Sequence, residues 1–244
     1  MKHLKISTLS VVLIFLFGFN NPQQDAATIL KKLDDVMYSA KDMTGKTKII
    51  ITDKNGKKSI REATIKQKGI DRRLFRFTAP ASQAGIATLS LPNDVMYLYM
   101  PAFGKERRIS ASVKSQKFAG TDFSYEDMES KKYSDKFTAK LVKTEANAYT
   151  LELTPKSAKS SYSKLIIKVD KTNYYPISTD FYDKGKNKVK IATYTFEKVG
   201  KYWNAKEVIM KDIRRKHSTK MIMSDVKFDT GLSDDEFTVR KLKQ

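Results

Sequence analysis

The sequence predicts a mainly β chain of the α+β kind, with one amphipathic helix ahead of a long antiparallel meander that must curl into a barrel or split into a sandwich. Three observations carry this. Segments of alternating apolar and polar residues recur at roughly ten-residue spacing, each bounded by Gly, Pro, Asn or Asp. No helical pattern alternates with them, which argues against parallel βαβ units. Apolar residues make up 40% and aromatics 11% of the 244, enough for a real core although 30% are charged.

In chain order, MKHLKISTLSVVLIFLFGFNNPQQ begins with Lys2 and Lys5, continues as an apolar run from Ile6 to Phe19 and then turns polar. This is the pattern of a secretory leader, too short to span a bilayer comfortably; an uncleaved anchor is the alternative. Residues 1–21 are therefore expected as a signal peptide, with the cut between Gly18 and Ala26, and residues 22–244 as a single domain, since no linker or internal repeat divides them. DAATILKKLDDVMYSA then places Ile29, Leu30, Leu33, Val36 and Met37 on one helical stripe, with Lys31, Lys32, Asp34 and Asp35 on the wet face. After Gly45 the period changes to two. KTKIIITD and SIREATIKQ flank an Asn55–Gly56 turn, followed by RRLFRFTAP, GIATLSLP, VMYLYMP and RRISASV. Residues 114–133 lack alternation. Strands resume with KFTAKLVKT, AYTLELT, YSKLIIKVD, YPISTDFYD, KVKIATYTFEKV, KEVIMKDIR and TKMIMSDVKFD, with a Gly185 turn in DKGKNK, and the tail GLSDDEFTVRKLK reads as a docking segment.

Composition removes many chemistries. There is no cysteine, hence no disulfide, thiolate ligand or lipid-modified anchor. His217 is the one histidine outside the leader, expected at the surface beside Arg214, Arg215 and Lys216. No nucleophile elbow, P-loop or dinucleotide fingerprint is present, and no cofactor or metal is expected. The excess of 47 Lys plus Arg over 27 Asp plus Glu points, in an exported chain, to anionic membrane surfaces or head groups rather than nucleic acid, or simply to solubilised sheet faces.

In this basic chain FAGTDFSYEDM, residues 118–128, stands apart. Asp122, Glu126, Asp127 and Glu129 are close enough in sequence for a carboxylate pair about 5–10 Å apart that cleaves a glycoside. Ser124 followed by Asp127 is equally a helix cap, preferred here because catalytic pairs converge from distant segments. A calcium loop would need ligand spacing and a central glycine that this stretch lacks. Met96, Leu98 and Met100 share one strand face and Met221 and Met223 another, which suits either a wall for flexible acyl chains or a Met-filled core.

YLYMPAFGKERRI at 97–109, followed by FAGTDFSYEDM, resembles the outer-membrane lipoprotein-sorting protein family, the LolA-like branch of the LolA/LolB superfamily. RLFRFTAPASQAGIATLSL, ISTDFYDKGKNKVKIATY and DEFTVRKL extend the resemblance over nearly the whole mature chain. It implies a half-open, strongly curved antiparallel β-barrel whose apolar inside is covered by an N-terminal helix and a helical lid. It further implies a soluble, periplasmic, non-enzymatic monomer carrying lipid or lipoprotein acyl chains from an inner-membrane donor to an outer-membrane acceptor. On that reading Phe75, Phe77, Met96, Leu98, Met100, Ile191, Met210, Met221 and Met223 are expected to line the cavity. Arg107 and Arg108 are expected to pair with Asp122, Glu126 or Asp127 where a lid helix starts. A carbohydrate-active enzyme and an envelope interaction protein with a filled interior remain the alternatives.

Overall fold

The computed structural model describes residues 25–110 and 112–244, so the expected leader lies outside the described residues. Among the described residues, thirteen strands form one antiparallel sheet. The first six are β1 (Asp42–Thr52), β2 (Lys58–Lys68), β3 (Arg72–Ala79), β4 (Ala87–Leu91), β5 (Val95–Met100) and β6 (Lys105–Arg108). The others are β7 (Phe137–Thr144), β8 (Ala148–Pro155), β9 (Tyr162–Asp170), β10 (Pro176–Asp183), β11 (Lys188–Val199), β12 (Tyr202–Asp212) and β13 (His217–Phe228). Each lies on one of the segments read as a strand. The first and last strands pair in the middle of the sheet, Ile49 opposite Met221 and Ile51 opposite Thr219. From there the order runs outward to β6 on one side and β7 on the other, and these two edges do not join. The result is a curved, open barrel.

Local chemistry explains most boundaries. The β1–β2 turn closes with the Gly56 amide donating to the Asp53 carbonyl at 3.0 Å, and Gly56 takes the left-handed conformation (φ 82°) that glycine adopts without steric cost. In DKGKNK it is Lys186, not Gly185, that turns left-handed (φ 62°), because the Asp183 carboxylate accepts from the Asn187 amide at 3.0 Å and closes the loop. RRISASV is strand only as far as Arg108. Beyond it, the Ile109 amide makes one last bond to the Met96 carbonyl (2.8 Å) and the chain turns into the concavity.

Helix α1 (Ala26–Met37) starts where Asp25 accepts from the Thr28 amide at 2.8 Å. Its stripe of Ile29, Leu30 and Leu33 is buried against the β7–β12 half of the concave face, together with Leu151, Leu153, Leu165, Ile167 and Met210. Full burial of each such side chain contributes about 1.5–3 kcal/mol. Asp34 is not on the wet face. It is 1% exposed and caps the short helix α2 (Tyr133–Lys136), accepting from the Tyr133 and Ser134 amides at 2.7 and 2.9 Å. The β1–β6 half of the concave face has its own cluster, in which Ile49, Phe75, Phe77 and Met96 surround Phe118 and Tyr125 of the segment between β6 and β7. A third cluster lies on the outer face, where the tail, with α3 (Val239–Leu242), seats Phe237 and Leu242 against Leu74, Ala87 and Leu89.

One carboxylate ties that tail to the first strand. Asp42 accepts from the Thr230 amide and hydroxyl, both at 2.7 Å, and from the Gly231 and Leu232 amides at 2.9 and 3.1 Å. Burial opposes its ionisation, but the Thr230 side-chain and amide bonds and those from Leu232 and Gly231 outweigh that and hold the carboxyl below its ordinary value. A depressed carboxyl stabilises the fold above the unfolded value near 4 and gives that stability up as pH falls through the folded value. Asp42→Ala is expected to lose about 3 kcal/mol at neutral pH, with the difference from the parent shrinking in acid. Urea melts at pH 7 and pH 3 test this; equal losses at both would contradict it.

Candidate functional site

The gap between the two sheet edges forms a cleft of about 860 Å³. Asn93, Asp94, Arg108 and Ile109 line one side, Phe137, Pro155, Lys156 and Lys159 the other. Behind it, under the connecting segment, lies a chamber of about 240 Å³. Its walls are Phe123 from the segment, Tyr162 and Leu165 from β9, Phe181 from β10, Tyr194 from β11, and Val208 and Met210 from β12. Glu126, Glu129, Lys131, Lys136 and Phe137 line both spaces and so stand between them. Burial keeps the Tyr133 and Tyr162 hydroxyls well above the ordinary tyrosine range; Tyr194 reinforces the effect at Tyr133 and the Asp127 carboxylate at Tyr162. These phenols are neutral donors at physiological pH.

The segment from Ile109 to Lys136 is held across the concavity by polar staples. Asp122, fully buried, accepts from His217 Nδ1 (2.7 Å), the Thr219 hydroxyl (2.8 Å) and Lys117 Nζ (3.1 Å). Glu126 reaches the β8–β9 connection, accepting from the Ser160 hydroxyl at 2.5 Å, the Ser161 amide at 2.9 Å and the Ser161 hydroxyl. Asp127 accepts from Tyr162 Oη at 2.8 Å and pairs with Lys190 at 2.9 Å. Ser124 and Asp127 also close a reciprocal box, amide to carboxylate at 2.7 Å and amide to hydroxyl at 3.1 Å. Arg61 donates to the Ala119 carbonyl, and Arg73 to that of Met128 at 3.4 Å. Each acid therefore serves a separate set of donors on a different strand or loop. The arrangement fixes a plug. It does not converge two carboxylates on one substrate atom.

The model of one family, described as "Uncharacterized protein", matches residues 69–244. No curated protein matches the sequence. Among solved structures, a domain from Vibrio parahaemolyticus described as an outer membrane lipoprotein-sorting protein is 28% identical over 90% of this chain and 98% of its own, with a TM-score of 0.83. A DUF1329 family protein from Desulfovibrio piger ATCC 29098 is 27% identical over 88% of this chain and 97% of its own, at 0.81. The chain belongs to the family of that model and shares the fold of the lipoprotein-sorting domain. A LolA superfamily protein from Nitrosomonas europaea shares the fold at 22% identity and a TM-score of 0.76, over 89% of this chain and 99% of that one.

Within this LolA-like barrel the residues singled out from sequence separate into groups. Met210 lines the chamber. Phe75, Phe77 and Met96 do face the concavity, and Leu98 packs beside them, but Phe118 and Tyr125 fill the space they would have enclosed. Met221 packs against both concave clusters. Met100 and Met223 are half-buried, the Met223 methyl lying 3.1 Å from where a Cβ on Gly45 would stand. Ile191 is a correction: its partners are Asp180 and Lys211, whereas neighbouring Ala192 faces Met210 and the core, so Ile191 points to the outer face.

The expected arginine–carboxylate pairing is also corrected. Arg107 is exposed over the Phe103 ring at 5.2 Å and Arg108 lines the cleft, while lysines, serines, a tyrosine and a histidine take the carboxylates. The reason is direction: β6 ends at the sheet edge, and the segment carries its acids inward. Those acids begin no long helix; Ser124 caps a single turn, with the Met128 amide on the Ser124 carbonyl at 3.2 Å. His217 is not a surface residue. Its side chain is 15% exposed and lies against buried Asp122. Phe181, Tyr194 and Val208, which sequence reasoning missed, carry the same inward parity as Met210 and Ala192, so alternation extended across those strands was the available signal; Tyr162, out of phase with Leu165 and Ile167, turns in through a register shift and gave no such signal.

Proposed function

We propose that this chain is a soluble periplasmic carrier that takes the acyl chains of a lipid or lipoprotein into the concave interior and moves them towards the outer membrane. On this reading residues 1–21 direct export, residues 22–244 work as one monomeric domain, and an inner-membrane donor and an outer-membrane acceptor load and unload it. The carrying observation is the cover of the concave face: α1 and the segment from Ile109 to Lys136, joined where Asp34 caps α2, leave a chamber beside the edge cleft. At about 240 Å³ the chamber is smaller than the roughly 300–1,000 Å³ of ordinary ligand sites. Cargo is therefore admitted when the plug withdraws, exchanging Phe118 for acyl methylenes worth about 0.8 kcal/mol each. The role is carriage, not catalysis, since Asp122, Glu126 and Asp127 are each engaged in holding the plug. Among the described residues no helix is long and apolar enough to cross a membrane.

Native mass spectrometry of the protein purified from the periplasm, followed by lipid extraction, tests the reading. Adducts that extract as lipid, together with saturable binding of a fluorescent fatty acid, are the expected result. A homogeneous unliganded protein that also fails to bind the probe would sink it.

A further inference from the structure

The antiparallel register sorts the chain's connections between two ends of the barrel. Thr52 lies opposite Ser218, and Asp212 opposite His217, which puts the β1–β2 and β12–β13 connections at the same end. By the same alternation that end also carries the β3–β4, β5–β6, β8–β9 and β10–β11 connections. The five remaining hairpin connections lie at the other end.

Charge is divided very unequally between them. At the first end the β1–β2 connection exposes Lys54 and Lys57, and the β8–β9 connection Lys156 and Lys159. The β10–β11 connection adds exposed Lys184 and Lys186, and the β12–β13 connection Arg214, Arg215 and Lys216. Against these, the connecting residues include a single acid, Asp53, although Asp183 at the end of β10 pairs with Arg214 at 3.2 Å. At the second end the hairpin connections hold two bases, Lys171 and Lys201, and three acids, Asp71, Asp94 and Glu145. Apolar exposure follows the charge. Phe103, 58% exposed, and Ile213, 42% exposed, are the large hydrophobics left open on hairpin connections among the described residues, and both stand at the basic end.

We propose that this basic end is a docking surface for an anionic lipid bilayer, on which the lysines and arginines meet head groups while Phe103 and Ile213 enter the interface. A negatively charged leaflet attracts a cluster of this kind, and apolar tips add burial that charge alone does not give. The surface is continuous with the candidate site, because Lys156 and Lys159 of the β8–β9 connection also line the cleft. Docking therefore brings the opening of the barrel to the membrane. The inference extends the carrier reading without needing it, since the charge division stands whatever the chamber holds.

The test is co-sedimentation of the purified chain with vesicles of phosphatidylcholine alone and with phosphatidylglycerol added at about one lipid in three. Binding is expected on the anionic vesicles only, weakening as salt shortens the screening length. Each basic residue at an anionic surface raises partitioning about fivefold, so the triple variant Arg214→Glu, Arg215→Glu, Lys216→Glu should lose at least about a hundredfold. Phe103→Ser with Ile213→Ser should weaken binding while keeping its salt dependence. Lys171→Glu with Lys201→Glu at the opposite end should bind as the parent does. Equal binding to both vesicle types, or equal loss in the opposite-end variant, overturns the proposal. No binding to anionic vesicles alongside capture of polyglutamate overturns it in favour of an acidic protein partner. Fatty-acid probe binding, measured on the same variants, separates failure of docking from failure of the carrier reading: docking variants should retain it.

Discussion

Phe118→Ala is expected to lower the unfolding free energy by about 3–5 kcal/mol while raising the capacity for an acyl probe. Phe118 is 1% exposed and the ring stands 5.4 Å from Phe75, 5.8 Å from Phe77 and 5.7 Å from Tyr125, the first and last edge-on. Truncation removes both its transfer energy and these contacts, and leaves a void walled by the residues that the sequence reading assigned to a cavity. The two effects have opposite signs only if the plug and the cargo compete for one space. Urea unfolding and titration with a fluorescent fatty acid check them together. A large loss of stability with unchanged probe binding would show Phe118 to be core and nothing more. A loss below about 1 kcal/mol would mean that the segment does not unfold with the barrel.

Asp122→Ala is expected to cost about 3 kcal/mol and to expose residues 114–130 to protease, because it takes the acceptor from three donors at once. The carboxylate is fully buried, and its donors lie on the segment itself, Lys117, and on β13, His217 and Thr219. Asp122→Asn keeps the shape and the Thr219 bond but not the charge, and should fall between parent and alanine. Arg108→Ala, at an exposed position on the sheet edge, should change stability by less than about 0.5 kcal/mol. Thermal melts and limited proteolysis of the three variants distinguish this geometry from an arginine-held lid. Equal destabilisation by Arg108→Ala and Asp122→Ala would restore the lid that the sequence reading expected.

The thirteen strands and the first helix were legible because each rests on local rules. Alternation of period two, turn residues such as Asn55–Gly56, and the Ile29–Leu30–Leu33 stripe operate within ten residues or so of chain. The barrel's open edge was legible only through resemblance, since nothing in the strand of Arg107 and Arg108 says that it will lack a neighbour.

The site was less legible. Whether Phe75, Phe77 and Met96 enclose a cavity or a core depends on what fills the concavity, and the answer lies farther along the chain, in Phe118. Asp34 reads as a wet-face residue until α2 is placed against it, and His217 as a surface residue until Asp122 meets it from 95 positions away. By itself the sequence determined a cysteine-free, basic β chain with a polar-aromatic interruption at 118–128. Tertiary structure alone decided that this interruption folds inward as a plug, that its acids meet β9, β11 and β13 instead of the arginines, and that the basic loops gather at one end. The physical reason is common to all three. Strand pattern is fixed by neighbours along the chain, whereas burial, ion pairing and the summed charge of a surface are fixed by neighbours in space.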